Sequence, residues 1–335
     1  MKYRLLIFLG LLLFCASVKA QDPVYSQFYA APMQLNPALT GLVEAPVITM
    51  NYRNQWPNIP DAYSTYAVSV SQYASKINSS FGALVEADIA GGGIYATYRV
   101  GLFYAYDIRF SKKFYIRAGL EGSFVNSRLN WNKLVFLDQL DLTTGAVNIN
   151  GNANPTNEAQ GSASINYFDL GTGLLVNTPY FYAGVSVKHL TTPRESFLST
   201  YQNGSDELPL RYTIHAGSEI RLTKGNKLGN QAFLSPNVLF VKQRNFHQLN
   251  IGTYARYGIF LGGIWFRHTF TNTDAVIFML GIQKGVFKLG YSYDLTVSKL
   301  GGASGGAHEI SLTLNFENKK RKHRNRYNDC LEIFR

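Results

Sequence analysis

Side chains that alternate between apolar and polar run through this chain from Ala45 to Phe316, in segments of about ten residues divided by Gly, Asn, Asp and Pro clusters. The segments lie at 45–54, 63–74, 80–89, 95–110, 113–129, 164–177, 180–190, 210–223, 231–242, 247–257, 259–269, 274–284, 287–297 and 307–316. In the fourth, Tyr98, Val100, Leu102, Tyr104, Tyr106, Ile108 and Phe110 oppose Arg99, Gly101, Phe103, Ala105, Asp107 and Arg109. In VFKLGYSYDLTV, Phe287, Leu289, Tyr291, Tyr293, Leu295 and Val297 oppose Lys288, Gly290, Ser292, Asp294 and Thr296. A period of two is that of a β-strand whose faces meet different surroundings.

A soluble sandwich buries the apolar face, whereas a membrane barrel turns it to lipid and its polar face to a lumen. Length and number favour the barrel. Globular strands cluster near five or six residues, a tilted membrane strand needs roughly 9–11, and the count here is even. Lipid leaves no partner for a free backbone N–H or C=O, so the sheet must close. The fold class expected is all-β, an outer-membrane antiparallel β-barrel of about 14 strands with a short N-terminal plug-like segment.

Export fits this reading. Residues 1–20 have the form of a secretory signal peptide, with Lys2 and Arg4 ahead of an apolar run from Leu5 to Phe14 and a small-residue site ending at Ala20. That run is too short to cross a bilayer as a helix, and no later stretch is long enough either. Cys15 invites lipidation, but Phe14 before it is too bulky. Cleavage after Ala20 leaves Cys330 alone, which excludes an intrachain disulfide and marks a lone exposed thiol open to intermolecular pairing. The expected location is the outer membrane of a Gram-negative bacterium, with lipid around the barrel.

Fourteen strands enclose a lumen that its own wall side chains do not fill. Arg99, Asp107, Arg109, Arg117, Glu121, Arg211, Glu219, Arg221, Lys288 and Asp294 fall on the polar faces and point into it. Their mixed signs fit an internal ion-pair network as readily as a conducting pore, and the network is the preferred reading. Ahead of the strands stands QDPVYSQFYAAPMQLNPALTGL, Gln21–Leu42, with neither helical period nor alternation. Tyr25, Phe28 and Tyr29 are expected to pack inside the periplasmic mouth, and Gln27, Gln34 and Asn36 to bond its polar wall. Asn36-Pro37 is a turn signal that ends the segment.

SQFYAAPMQLNPALTG (Ser26–Gly41), MNYRNQWP (Met50–Pro57), GIQKGVFKLGYSYDLTVSKL (Gly281–Leu300) and GGAHEISLTLNF (Gly305–Phe316) together resemble the PorP/SprF family of type IX secretion and gliding proteins. The resemblance runs from about residue 22 to 316 and is specific at the ends, while residues 130–210 match in pattern only. It implies a non-enzymatic barrel that assists export and surface attachment of large adhesins or other cargo. The implied partners are the translocon and periplasmic ring or peptidoglycan-associated components. The Asn-Pro-Ala element also resembles the hatch segment of the FadL transporters, which leaves a gated transporter or porin as the alternative.

Strand parity puts residues 130–164 and 191–209 outside the cell, where cargo would meet them. After the last strand, Glu317–Arg335 holds seven Lys or Arg against three acids, or +4 of the +8 that remains once the leader's +3 leaves the formal +11. Lys319, Lys320, Arg321, Lys322, Arg324 and Arg326 form a periplasmic docking tail for acidic proteins, anionic lipid or peptidoglycan carboxylates. Nucleic acid is excluded by compartment. The six His (His189, His215, His247, His268, His308 and His323) are scattered, His308 and Glu309 point to opposite faces of a strand, and no metal, cofactor or nucleophile motif appears. The domain plan is a leader at 1–20, a plug at 21–44, a barrel at 45–316 and a tail at 317–335.

Overall fold

The structure, a computed structural model, describes residues 22–111, 114–140, 145–146, 154–158, 161–197, 207–222, 232–270, 272–297, 304–317 and 330–335. The strands are β1 (Val47–Gln55), β2 (Tyr63–Ala74), β3 (Ser79–Ala90), β4 (Tyr95–Ser111), β5 (Phe114–Leu129), β6 (Ser164–Asn177), β7 (Phe181–Lys188), β8 (Arg211–Ser218), β9 (Ile220–Arg221), β10 (Ala232–Gln243), β11 (Phe246–Tyr257), β12 (Phe260–Thr269), β13 (Asn272–Lys284), β14 (Phe287–Thr296) and β15 (Ala307–Asn315). β9 continues β8 along β10, so the two make one stave of a fourteen-stave wall. Each neighbour pairs antiparallel, and β15 returns to pair with β1, closing the sheet into a barrel.

Each of the segments read from alternation becomes a strand in its expected place. Leu102, Leu120, Phe168, Leu280 and Leu289 stand on the outer surface at half exposure or more. An apolar belt of that size would drive a water-soluble protein to aggregate, and it suits hydrocarbon. No helix among the described residues is long and apolar enough to cross a membrane.

Short links at residues 75–78, 178–180, 258–259 and 285–286 gather at one end of the barrel, together with the start of β1 and the end of β15. Asn78 and Gly285 carry the positive φ such tight turns demand, at 49° and 63°. Residues 130–163, 189–210 and 297–306 connect strands at the other end. Wall height is uneven there, because β4 and β5 have 17 and 16 residues but β7 and β8 only 8 each. The connection after β7 crosses the gap. Glu195 accepts hydrogen bonds from Tyr95 Oη and Ser127 Oγ, both at 2.7 Å, and Phe197 packs edge-on against Tyr95.

Candidate functional site: the filled lumen

Residues 22–43 run through the lumen as a chain of single turns. Phe28–Ala30 and Pro37–Leu39 are 3₁₀ turns, and Pro32–Leu35 is a one-turn helix, α1. Proline opens two of them at the first position, where its missing N–H costs nothing. Asn36 caps the last, its Oδ1 accepting the Ala38 N–H at 2.9 Å. Turns of three and four residues are too short to show a helical period, which is why none was legible in the sequence.

The segment reaches further than the expected position at one mouth. Asp22 touches His189 and Arg211 near the long-loop end, whereas Gly41 accepts from Ser80 and Val43 from Tyr73 near the short-turn end. Four polar clamps hold it. At the first, His189 lies between Asp22 (2.6 Å) and Asp169 (2.8 Å), and Arg211 adds 3.2 Å to Asp22. Burial alone would lower the His189 pKa, but the two carboxylates outweigh it and raise it to about 9. Burial opposes the Asp22 charge too, yet His189 and Arg211 hold its carboxyl well below the usual range.

At the second clamp, both oxygens of Glu309 accept the consecutive backbone N–H groups of Ser26 (2.8 Å) and Gln27 (3.0 Å). Arg53 pairs with Glu309 at 3.2 Å and Asp294 at 3.1 Å, Arg267 reaches Asp294 at 2.9 Å, and Ser26 Oγ donates to Asp294 at 2.6 Å. Gln27 adds Nε2 bonds to Ser292 Oγ and the Glu309 carbonyl. The third clamp is Asn36, whose Nδ2 lies 3.2 Å from the carbonyls of Leu174 and Val185 and 3.0 Å from His215 Nε2. At the fourth, Arg117 pairs with Asp107 at 2.7 Å and donates to the Thr40 and Gly41 carbonyls.

The apolar half of the segment meets an apolar half of the wall. Phe28 packs edge-on against Trp265 at 4.8 Å, and Tyr29 against Tyr254 at 4.9 Å. Leu239, Val241, Ile277 and Met279 extend that wall inward from β10 and β13. Wall glycines make room elsewhere. A Cβ on Gly119 would strike the Pro37–Ala38 backbone, and one on Gly173 would strike the Asn36 side chain.

The forecast of inward charges divides by height. Arg99, Asp107, Arg117, Glu121, Arg211, Lys288 and Asp294 lie inside and are paired or hydrogen-bonded; Arg99 and Lys188 both reach Glu121, at 3.9 and 3.2 Å. Arg109 instead sits exposed at the short-turn rim, donating to Tyr73 Oη, and Arg221 is more than half exposed beside Glu219. They share the inward parity, but their strands have left the lumen by those positions. Gln27, Phe28, Tyr29, Asn36 and Pro37 are all buried inside. Gln34 departs from expectation: its amide has no hydrogen-bond partner among the described residues and borders a small cavity of about 30 Å³.

Sequence reasoning missed Arg53, Arg267, Lys188, His189, Asp169 and Glu309. Strand parity was a usable signal for Arg53 and Glu309, which share inner faces with Asn51 and Ser311. Nothing local announces His189 as the partner of Asp22, or Asp169 as the second carboxylate on His189. Cys330 is the plainest correction, because its thiol is fully buried rather than exposed. The leader and the basic residues from Lys319 to Arg326 lie outside the described residues. Among the described residues no group of three His, Cys, Asp or Glu is placed to hold a metal ion.

The family model described as type IX secretion system membrane protein PorP/SprF matches residues 17–314. No curated protein matches the chain significantly. Similar solved structures include the CymD monoaromatic hydrocarbon channel, 12% identical with a TM-score of 0.46, covering 90% of this chain and 95% of that one. The KdgM porin is 7% identical with a TM-score of 0.39, covering 81% of this chain and 99% of that one.

Proposed function

Because the chain belongs to the PorP/SprF family of type IX secretion system membrane proteins, we propose that it serves in the outer membrane as a non-enzymatic part of that machine. In this reading it assists the export and surface attachment of cargo such as large adhesins through protein contacts. The leader is cleaved after Ala20, residues 21–44 act as a plug, and 45–316 form the barrel. The loops at 130–163 and 189–210 face cargo outside the cell. The basic run within 317–335 meets translocon, periplasmic ring or peptidoglycan-associated partners through Lys319, Lys320, Arg321, Lys322, Arg324 and Arg326.

One observation supports this over transport. The lumen is occupied from Asp22 to Gly41, and the charged groups inside it are paired with the segment or with each other. Binding work then falls to the loops, the tail and the barrel mouths rather than to an open channel. The test is a pull-down from detergent-solubilised outer membranes, comparing the full chain with a variant whose six basic residues are changed to Gln. That variant is preferable to truncation after Phe316, which would also remove the buried residues 330–335. The expected result is capture of periplasmic secretion components by the full chain and their loss in the variant. Equal capture by both would remove the docking role of the basic run.

A gated transporter is the second reading; the cavities beside the segment, about 30 and 20 Å³, hold no more than a water or two, so it requires the segment to move aside. Ion conductance or solute uptake by the unmodified purified barrel would select it.

A further inference from the structure

We propose that the short-turn mouth of the barrel is a peptide-binding site, filled here by the chain's own last six residues, Cys330–Arg335, and specific for short apolar peptides that carry an aromatic residue. Beyond Glu317 and twelve further residues, Cys330, Leu331, Ile333 and Phe334 lie buried in the mouth.

The wall supplies a matched set of groups. Cys330 Sγ lies 3.0 Å from the Thr178 carbonyl, which accepts its proton. Lys288 donates to the Ile333 carbonyl while its ammonium stands 4.7 Å over the Tyr29 ring. Arg256 meets Glu332 at 3.4 Å. Phe334 fits between Tyr182, edge-on at 5.4 Å, and Phe28 at 6.3 Å. Within the peptide, Glu332–Phe334 forms a single 3₁₀ turn.

Every receptor group belongs to a barrel strand or turn, or to the N-terminal segment, and none depends on the peptide for its place in the chain. A site built by wall and segment but filled by a tethered hexapeptide is exchangeable in principle. The tether raises the local concentration of the native occupant, and six residues make a small interface that a better peptide can displace. Lys288 touches both the N-terminal segment and the peptide, and Phe28 of that segment packs on Phe334, so an empty mouth also loosens the segment above it.

Cys330 is the only cysteine left after removal of the leader, and it reports occupancy directly. In the full-length protein in detergent, a maleimide should label Cys330 at least a hundredfold more slowly than in unfolded chain. Phe334→Ala should speed labelling at least tenfold without unfolding the barrel. Excess synthetic acetyl-LEIFR peptide should also speed it, while the same peptide with Ala for Phe should not. A chain ended at Asp329 should bind one equivalent of acetyl-LEIFR, and the full chain none at that concentration. Fast labelling of the wild type, or labelling that neither Phe334→Ala nor the peptide changes, overturns the proposal. If the shortened chain does not fold, the full-length labelling rates decide alone.

Discussion

Glu309→Ala tests whether the lumen segment is held by the wall or merely enclosed by it. The carboxylate accepts two consecutive N–H groups, from Ser26 and Gln27, and both are buried. Hydrogen bonds to a charged acceptor contribute about 1.5–3 kcal/mol each, so losing both costs about 3–6 kcal/mol locally. Arg53 is not orphaned by the change, because Asp294 keeps it at 3.1 Å, so no separate penalty for a stranded cation is added. At 1.4 kcal/mol per tenfold, the detached fraction of the segment rises roughly a hundred- to ten-thousand-fold. Hydrogen exchange read by mass spectrometry over residues 22–30 follows this, with strand peptides as the internal standard. Glu309→Gln keeps one acceptor oxygen and should recover about half of the effect in free energy. Exchange at Ser26 and Gln27 unchanged from wild type, with the barrel intact, would refute the clamp.

Other outcomes follow from the remaining clamps. His189 gains its partners on folding, so its pKa rises from the ordinary 6.5 to about 9; its contribution is complete below about pH 6.5 and is lost as pH rises through 9. Protection of residues 22–25 should therefore fall across that window, and His189→Gln should flatten the profile; an unchanged slope in the variant removes His189 as its source. Gly119→Ala drives a methyl into the Pro37–Ala38 backbone, so it should expose the segment to protease while leaving the strands' circular dichroism intact. Asn36→Ala removes a cap, for about 1 kcal/mol, and its bonds to Leu174, Val185 and His215 as well. Its effect on exchange at residues 36–40 should exceed that of a cap alone; a smaller effect means the wall bonds contribute little.

The wall was legible because lipid and lumen impose opposite chemistry on neighbouring residues, and that alternation survives in the sequence over every stave. Parity gave the side of each charge but not its height, so Arg109 and Arg221 were grouped with Arg117 although they stand at the rim. Partner choice was not legible at all. Ser26 and Asp294 are 268 residues apart, and no local pattern connects them. Gln34 and Asn36 look alike as polar residues in an apolar stretch, yet only Asn36 reaches carbonyls of the wall. The burial of Cys330–Arg335 was hidden by its neighbours, since a basic run reads as solvated and six residues carry no measurable period.

Arg53 and Glu309 face each other in the register of β1 and β15, the two strands whose pairing closes the ring. The final strand therefore carries to the seam the carboxylate that grips the first residues of the chain. A ring shut around an empty lumen would leave Glu309 without the Ser26 and Gln27 amides and Asp294 without the Ser26 hydroxyl. Correct threading and correct closure are thus satisfied by the same atoms, so the seam is strongest when the beginning of the chain lies inside the wall that its end closes.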